Sequence, residues 1–115
     1  INLDSMAIFA NATVYFEFDK SSLTSKSIQT LKSAVDALNE NTSIKVTLSG
    51  HADERGTREY NLALGQRRAE SVSDYLVLNG INKSRITVKS FGEEKPLAYG
   101  QDESSYAKNR RVEIN

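Results

Sequence analysis

The chain has 115 residues, enough for one domain with a single modest core. Fifteen basic and fifteen acidic residues cancel, so there is no basic field to hold nucleic acid, and five Tyr and four Phe are few for base stacking. The absence of Cys excludes disulfides, thiolate metal sites and a Cys nucleophile, and no apolar run approaches transmembrane length.

The chain begins at Ile1 rather than Met, as a fragment or a processed product would, and no secretory leader reads in it. One domain over 1–115 is expected, with an irregular lead-in at 1–12. Thr13 to Phe18 alternates, Val14, Phe16 and Phe18 against Tyr15 and Glu17, which predicts a half-buried strand with those three turned inward. Asp19-Lys20-Ser21-Ser22 ends it. Thr24 or Ser25 caps a helix carrying Ile28, Leu31, Val35 and Leu38 at helical spacing, closed by Asn39-Glu40-Asn41. Ile44, Val46 and Leu48 alternate with Lys45, Thr47 and Ser49 as a second strand. A loop from Gly50 to Thr57 leads into a helix from about Glu59 to Leu78, stopped near Gly80. Arg85 to Ser90 reads as a third strand, Phe91 to Gly100 as a loop, Glu103 to Asn109 as a short helix and Arg111 to Ile114 as a last strand.

This order predicts an α+β fold, a two-layer β-α-β-α-β-(α)-β sandwich with a mixed four-stranded sheet and the helices on one face. Right-handed crossovers make the first three strands parallel, and so put Asp19 and Asp53, which follow the first and second strands, at one sheet edge.

The second long helix is unusual in one stripe. At about 100° per residue, Asn61, Gly65 and Arg68 align with Val72, Leu76 and Asn79. The lower part faces a core; the upper part carries an amide, a glycine and an arginine where a structural helix would prefer Leu or Ala. Arg67 points elsewhere, with Gln66, Glu70 and Asp74. Arg68 is therefore the placed arginine of the two. With Asp53 and Asn61 it is equipped to grip a group carrying both a carboxylate and an amine. The alternative is an internal Asp53–Arg68 ion pair tying loop to helix, and spacing alone does not separate the two.

Asp53-Glu54-Arg55-Gly56-Thr57 precedes that helix, where free N–H groups attract an anion. Thr57 suits an N-cap, and Gly56 suits an unusual backbone angle. His51 is the single His of the chain, too few ligands for zinc, and is read as a hydrogen-bonding residue at a strand end. Neither a catalytic triad nor a phosphate loop is present, so no metal and no cofactor is expected. Arg110 and Arg111 open the last strand. Alternation sends one toward the helices and one away, either as solvated charges or with one of them joining the Asp53/Arg68 edge.

Four segments, VYFEFDKSSL at 14–23, GHADERGTREYNLALGQRRAESV at 50–72, FGEEKP at 91–96 and YAKNRRVEI at 106–114, resemble the outer-membrane protein A-like C-terminal domain family over nearly the whole chain. HADERGT resembles its lipoprotein branch. The resemblance implies a periplasmic, non-catalytic module that binds peptidoglycan through the diaminopimelate residue of the stem peptide, which ends in an amine and a carboxylate. It implies that Asp53 takes the ammonium or the adjacent backbone N–H, that Arg68 takes the carboxylate, and that Asp19, Arg55, Thr57 and Asn61 line the ligand. Asn109 and Arg111 match the C-terminal motif. A periplasmic Tol propeller protein (TolB) is the implied partner, and the outer membrane is reached only through a lipid anchor outside this chain. Members often carry Thr where Ala52 stands and Pro where Arg58 stands. The alternatives are the wall-binding domain of a porin-like or flagellar stator protein, a protein-interaction module with a structural Asp–Arg pair, and an enzyme acting on cell-wall peptides.

Overall fold

The computed structural model describes residues 12–115, so the expected lead-in over 1–12 lies outside the described residues except for Ala12. The elements in order are β1 (Thr13–Tyr15), α1 (Ser25–Glu40), β2 (Val46–His51), α2 (Arg58–Leu78), a 3-10 turn (Lys83–Arg85), β3 (Ile86–Gly92), α3 (Glu103–Asn109) and β4 (Arg111–Ile114). They form a mixed four-stranded sheet in the order β1-β4-β2-β3. β2 and β3 pair in parallel, and β4 runs antiparallel to both β1 and β2. The first three strands therefore share one direction, as expected, but β1 and β2 are not neighbours, because β4 lies between them.

Apolar spacing explains the two long helices. Leu31, Ala34, Val35 and Leu38 of α1 and Ala69, Val72 and Leu76 of α2 join Val14, Val46, Leu48, Val112 and Ile114 of the sheet in one core. Each Leu, Val or Ile among them taken fully from water contributes about 1.5–3 kcal/mol, and the alanines less. Thr24 Oγ1 accepts from Ser27 N at 3.1 Å to open α1, and Thr57 Oγ1 accepts from Tyr60 N at 3.1 Å to open α2. α2 ends in a Schellman arrangement. Gly80 takes φ 93°, its N–H reaches the Val77 carbonyl at 3.0 Å, and the Ile81 N–H reaches Leu76 O at 3.0 Å with the Ile81 side chain buried. The core stripe consequently stops at Leu76; Asn79 is the exposed cap residue rather than a part of that face.

Two expectations about strands shift. β1 ends at Tyr15, with Phe16 N still bonded to Arg110 O at 2.9 Å, and a turn follows in which Lys20 N reaches Glu17 O and Asp19 adopts φ 58°. That turn breaks the alternation and throws Phe18 outward, 54% exposed, instead of into the core. β3 starts at Ile86 and runs two residues beyond Ser90. Its register against β2 shifts between Gly50 and His51, a bulge that bends the strand end where Phe91 packs on His51.

Candidate functional site

At the carboxyl ends of β1 and β2, against the start of α2, lies a cleft of about 230 Å³. Asp19, Asp53, Arg55, Asn61 and Arg68 reach it, together with Phe18, Gly56, Tyr60 and Leu64. Sheets of this kind bind ligands outside their strand ends. α2 can lie close enough to deliver Arg68 because Gly50 and Gly65 face one another. A Cβ on Gly65 would stand 2.9 Å from the Gly50 carbonyl oxygen, and one on Gly50 would overlap the Gly65 carbonyl.

Arg68 is fully buried. Its Nε donates to Lys20 O at 2.8 Å, Nη1 to His51 O at 2.9 Å and Nη2 to Glu17 O at 3.1 Å. A guanidinium carries five N–H donors, so one on each terminal nitrogen is left without a protein acceptor among the described residues. Burial lowers its pKa to about 10, partly offset by the charge of Asp53, so it remains a cation at neutral pH.

The Asp53–Arg68 ion pair weighed from the sequence does not form. Asp53, 5% exposed, is held by Arg55 instead: Oδ1 accepts from the Arg55 backbone N at 3.1 Å and from Nε at 3.0 Å, and Oδ2 from Nη2 at 2.9 Å. Burial by itself would raise the Asp53 carboxyl; the Arg55 hydrogen bonds, with the charges of Arg55 and Arg110, outweigh it and hold the group below its ordinary value. Asp19, on its left-handed turn, accepts a hydrogen bond from the Tyr60 hydroxyl. Asn61 is buried, and its Nδ2 donates to Glu93 Oε1 at 3.0 Å.

Three of the expected residues are not in the cleft wall. Thr57 is spent on the α2 cap. Asn109 is a loop clamp: Oδ1 accepts from Leu97 N at 2.8 Å and Ala98 N at 3.1 Å, and Nδ2 donates to Ala98 O at 2.9 Å. Arg111 is buried on the other face of β4, bonded to Glu113 Oε2 at 2.7 Å and Lys95 O at 2.9 Å. The arginine that does join the edge is Arg110, also buried, with Nη1 3.7 Å from Asp53 Oδ2 and Nε donating to Phe16 O at 2.9 Å. Neither is a solvated charge. The doublet was a usable signal: α3 reaches Asn109, Arg110 is its cap and β4 runs from Arg111 to Ile114 as expected, with Arg110 at the edge where the resemblance had implied Arg111.

Phe18 and Tyr106 were missed as site residues; the Arg55 guanidinium carbon lies 4.1 Å and 4.2 Å from their ring centroids. Arg58 pairs at the rim with Glu94 at 2.6 Å. His51 accepts from Arg68 through its carbonyl, but its ring nitrogens have no protein partner among the described residues. The ring stacks on Phe91, centroids 5.4 Å apart, and burial, helped by Arg111, lowers its pKa to about 4. No group of His and carboxylate side chains suited to a metal ion occurs among the described residues.

This sheet, with its acid–arginine cleft at the strand ends, is that of an OmpA-like domain: the OmpA family model matches residues 15–110, and the chain belongs to that family. Within it the chain is 47% identical over 111 residues to the peptidoglycan-associated lipoprotein of Pseudomonas aeruginosa, covering 96% of this chain and 66% of that protein. It is 48% identical over 100 residues to the peptidoglycan-associated lipoprotein of Haemophilus influenzae, covering 87% of this chain and 65% of that protein. It thus spans a little under two thirds of the length of these relatives. The crystal structure of the peptidoglycan-associated lipoprotein from Burkholderia pseudomallei superposes with a TM-score of 0.89 at 41% identity, over 93% of this chain and 91% of that one.

Proposed function

We propose that the cleft binds peptidoglycan without turnover, through the diaminopimelate residue of the stem peptide, and that the domain ties the outer membrane to the cell wall from the periplasmic side. The observation that carries this reading is the state of Arg68: a buried cation with no carboxylate partner among the described residues and a free N–H on each terminal nitrogen. A ligand carboxylate satisfies both donors bidentately, and such charge-assisted pairs are among the strong hydrogen bonds. Asp53 offers the complementary charge for the ligand ammonium. The names of the similar proteins support the same ligand class and a lipid-anchored parent. In that setting a Tol propeller protein (TolB) is the partner, docking over the same rim.

Calorimetry with a diaminopimelate stem peptide, beside the lysine form that lacks the side-chain carboxylate, tests the reading. Binding of the first alone supports it. Equal binding removes the role given to Arg68, and silence with both moves the function to a protein partner. Cleavage of a muropeptide would make the domain an enzyme.

A further inference from the structure

Asp53 is the carboxylate that a cationic ligand end would seek, and it is already engaged. A carboxylate has about four lone-pair sites. Arg55 fills three of them, through its backbone N–H, Nε and Nη2, and Arg110 Nη1 stands 3.7 Å from Oδ2. The Arg55 guanidinium is itself seated, 4.1 Å from the Phe18 ring centroid, 4.2 Å from that of Tyr106 and 3.8 Å from Glu103 Oε2. Two aromatic rings beside a buried carboxylate are the makings of a cation cage. Phe18 is an aromatic that folding leaves largely exposed, with this guanidinium lying over its ring.

We infer that Asp53, Phe18 and Tyr106 form a cation-binding site which the protein fills with its own Arg55, and that the ammonium of a ligand enters by taking the place of that guanidinium. The identity of the ligand rests on the function proposed above; the cage does not. Arg55 is suited to leave. Its side chain is 36% exposed, it sits on the loop before α2, and the neighbouring Gly56 at φ 105° is a natural pivot. The Arg55 backbone N–H can keep its bond to Oδ1 while the side chain swings out. Apparent affinity is then reduced by the fraction of molecules with Arg55 out. The same exchange gives selectivity, because a neutral or acylated amine cannot displace a guanidinium from a carboxylate.

The experiment compares wild type, Arg55→Ala and Arg55→Lys by calorimetry with the diaminopimelate stem peptide, each protein first checked for an intact fold by circular dichroism. Arg55→Ala is expected to bind about tenfold tighter, corresponding to a wild type with Arg55 out in roughly a tenth of molecules. Arg55→Lys, which keeps a competing cation, should fall between the two. Millimolar guanidinium chloride should refill the cage of Arg55→Ala and return its affinity toward wild type. Unchanged or weaker binding by folded Arg55→Ala overturns the inference. If wild type binds no stem peptide, the ligand reading fails separately, and the cage is judged by NMR titration of the Asp53 carboxyl. In Arg55→Ala its pKa should rise, and guanidinium should bring it down again; no response to guanidinium overturns the cage.

Discussion

Arg68 and Asp53 face the same cleft without bonding to each other. Arg68 is bonded to three backbone carbonyls, two in the turn after β1 and one at the end of β2, and Asp53 to Arg55. Arg68 therefore both staples the β1–α1 turn to the end of β2 and leaves donors for a ligand, so its removal acts on stability as well as on binding.

Arg68→Lys keeps the charge but not the fork, and cannot reach Lys20 O, His51 O and Glu17 O together. A loss of about 1–3 kcal/mol in urea unfolding is expected, with stem-peptide binding abolished. Arg67→Ala should be near wild type in both, since Arg67 is exposed and its side chain lies against the exposed Tyr60, 5.7 Å from the ring centroid, rather than in the buried stripe. Equal losses in the two variants would contradict the assignment of the buried face.

Gly65→Ala pushes a methyl against the Gly50 carbonyl and the Ser90 hydroxyl. The hydroxyl can rotate; the backbone cannot. The expected outcome is about 1–3 kcal/mol of destabilisation, and more for Gly50→Ala, whose added carbon meets backbone alone. Thermal melts of both variants check the order.

His51 makes stability depend on pH. Its folded pKa of about 4 lies below the ordinary 6.5, so the unfolded chain binds the proton more readily. The sign is then fixed: stability is full above pH 6.5, falls as pH drops from 6.5 to 4, and loses no more to this group below that. The full span is about 3 kcal/mol. Asp53 adds loss only at more acid pH, because its carboxyl is held below the usual range. Wild type and His51→Leu melted across pH 4–7 isolate the His term as the difference between the curves; parallel curves would remove it.

Asn109→Ala releases Leu97 and Ala98 from their side-chain clamp. Faster amide exchange at those two residues and about 1–3 kcal/mol less stability are expected. Stem-peptide affinity should change by no more than a few-fold, whereas the ligand role implied by resemblance demands a large loss.

The sequence carried most of the architecture because its signals were local. Thr24 and Thr57 announced caps, Gly80 a stop, and the α1 and α2 core positions a helical period. The buried stripe through Asn61, Gly65 and Arg68 was readable for the same reason, since one helix fixes their common direction. What spacing could not carry were relations across elements. Whether Asp53 would meet Arg68, Arg55 or Arg110 depends on loop conformation. Phe18 was drawn inward because a strand pattern does not show where the strand stops, and the turn at Asp19 stops it early. That one of Arg110 and Arg111 would join the edge was legible in the alternation, but which of them was not, because that depends on how β4 sits against the turn after β1. The insertion of β4 between β1 and β2 is likewise a long-range choice that no window of residues encodes.

That insertion orders events during biosynthesis. Among the described residues β1, at 13–15, has no sheet partner except β4, at 111–114. A chain made from its amino end must hold β1 unpaired with β4, an open edge, until residues 111–114 have emerged. The cleft straddles this seam, with Asp19 following β1 and Asp53 following β2. Wall binding would therefore be acquired last, as one event, and a nascent or proteolytically clipped chain without residues 111–114 would hold every cleft side chain and still lack the cleft.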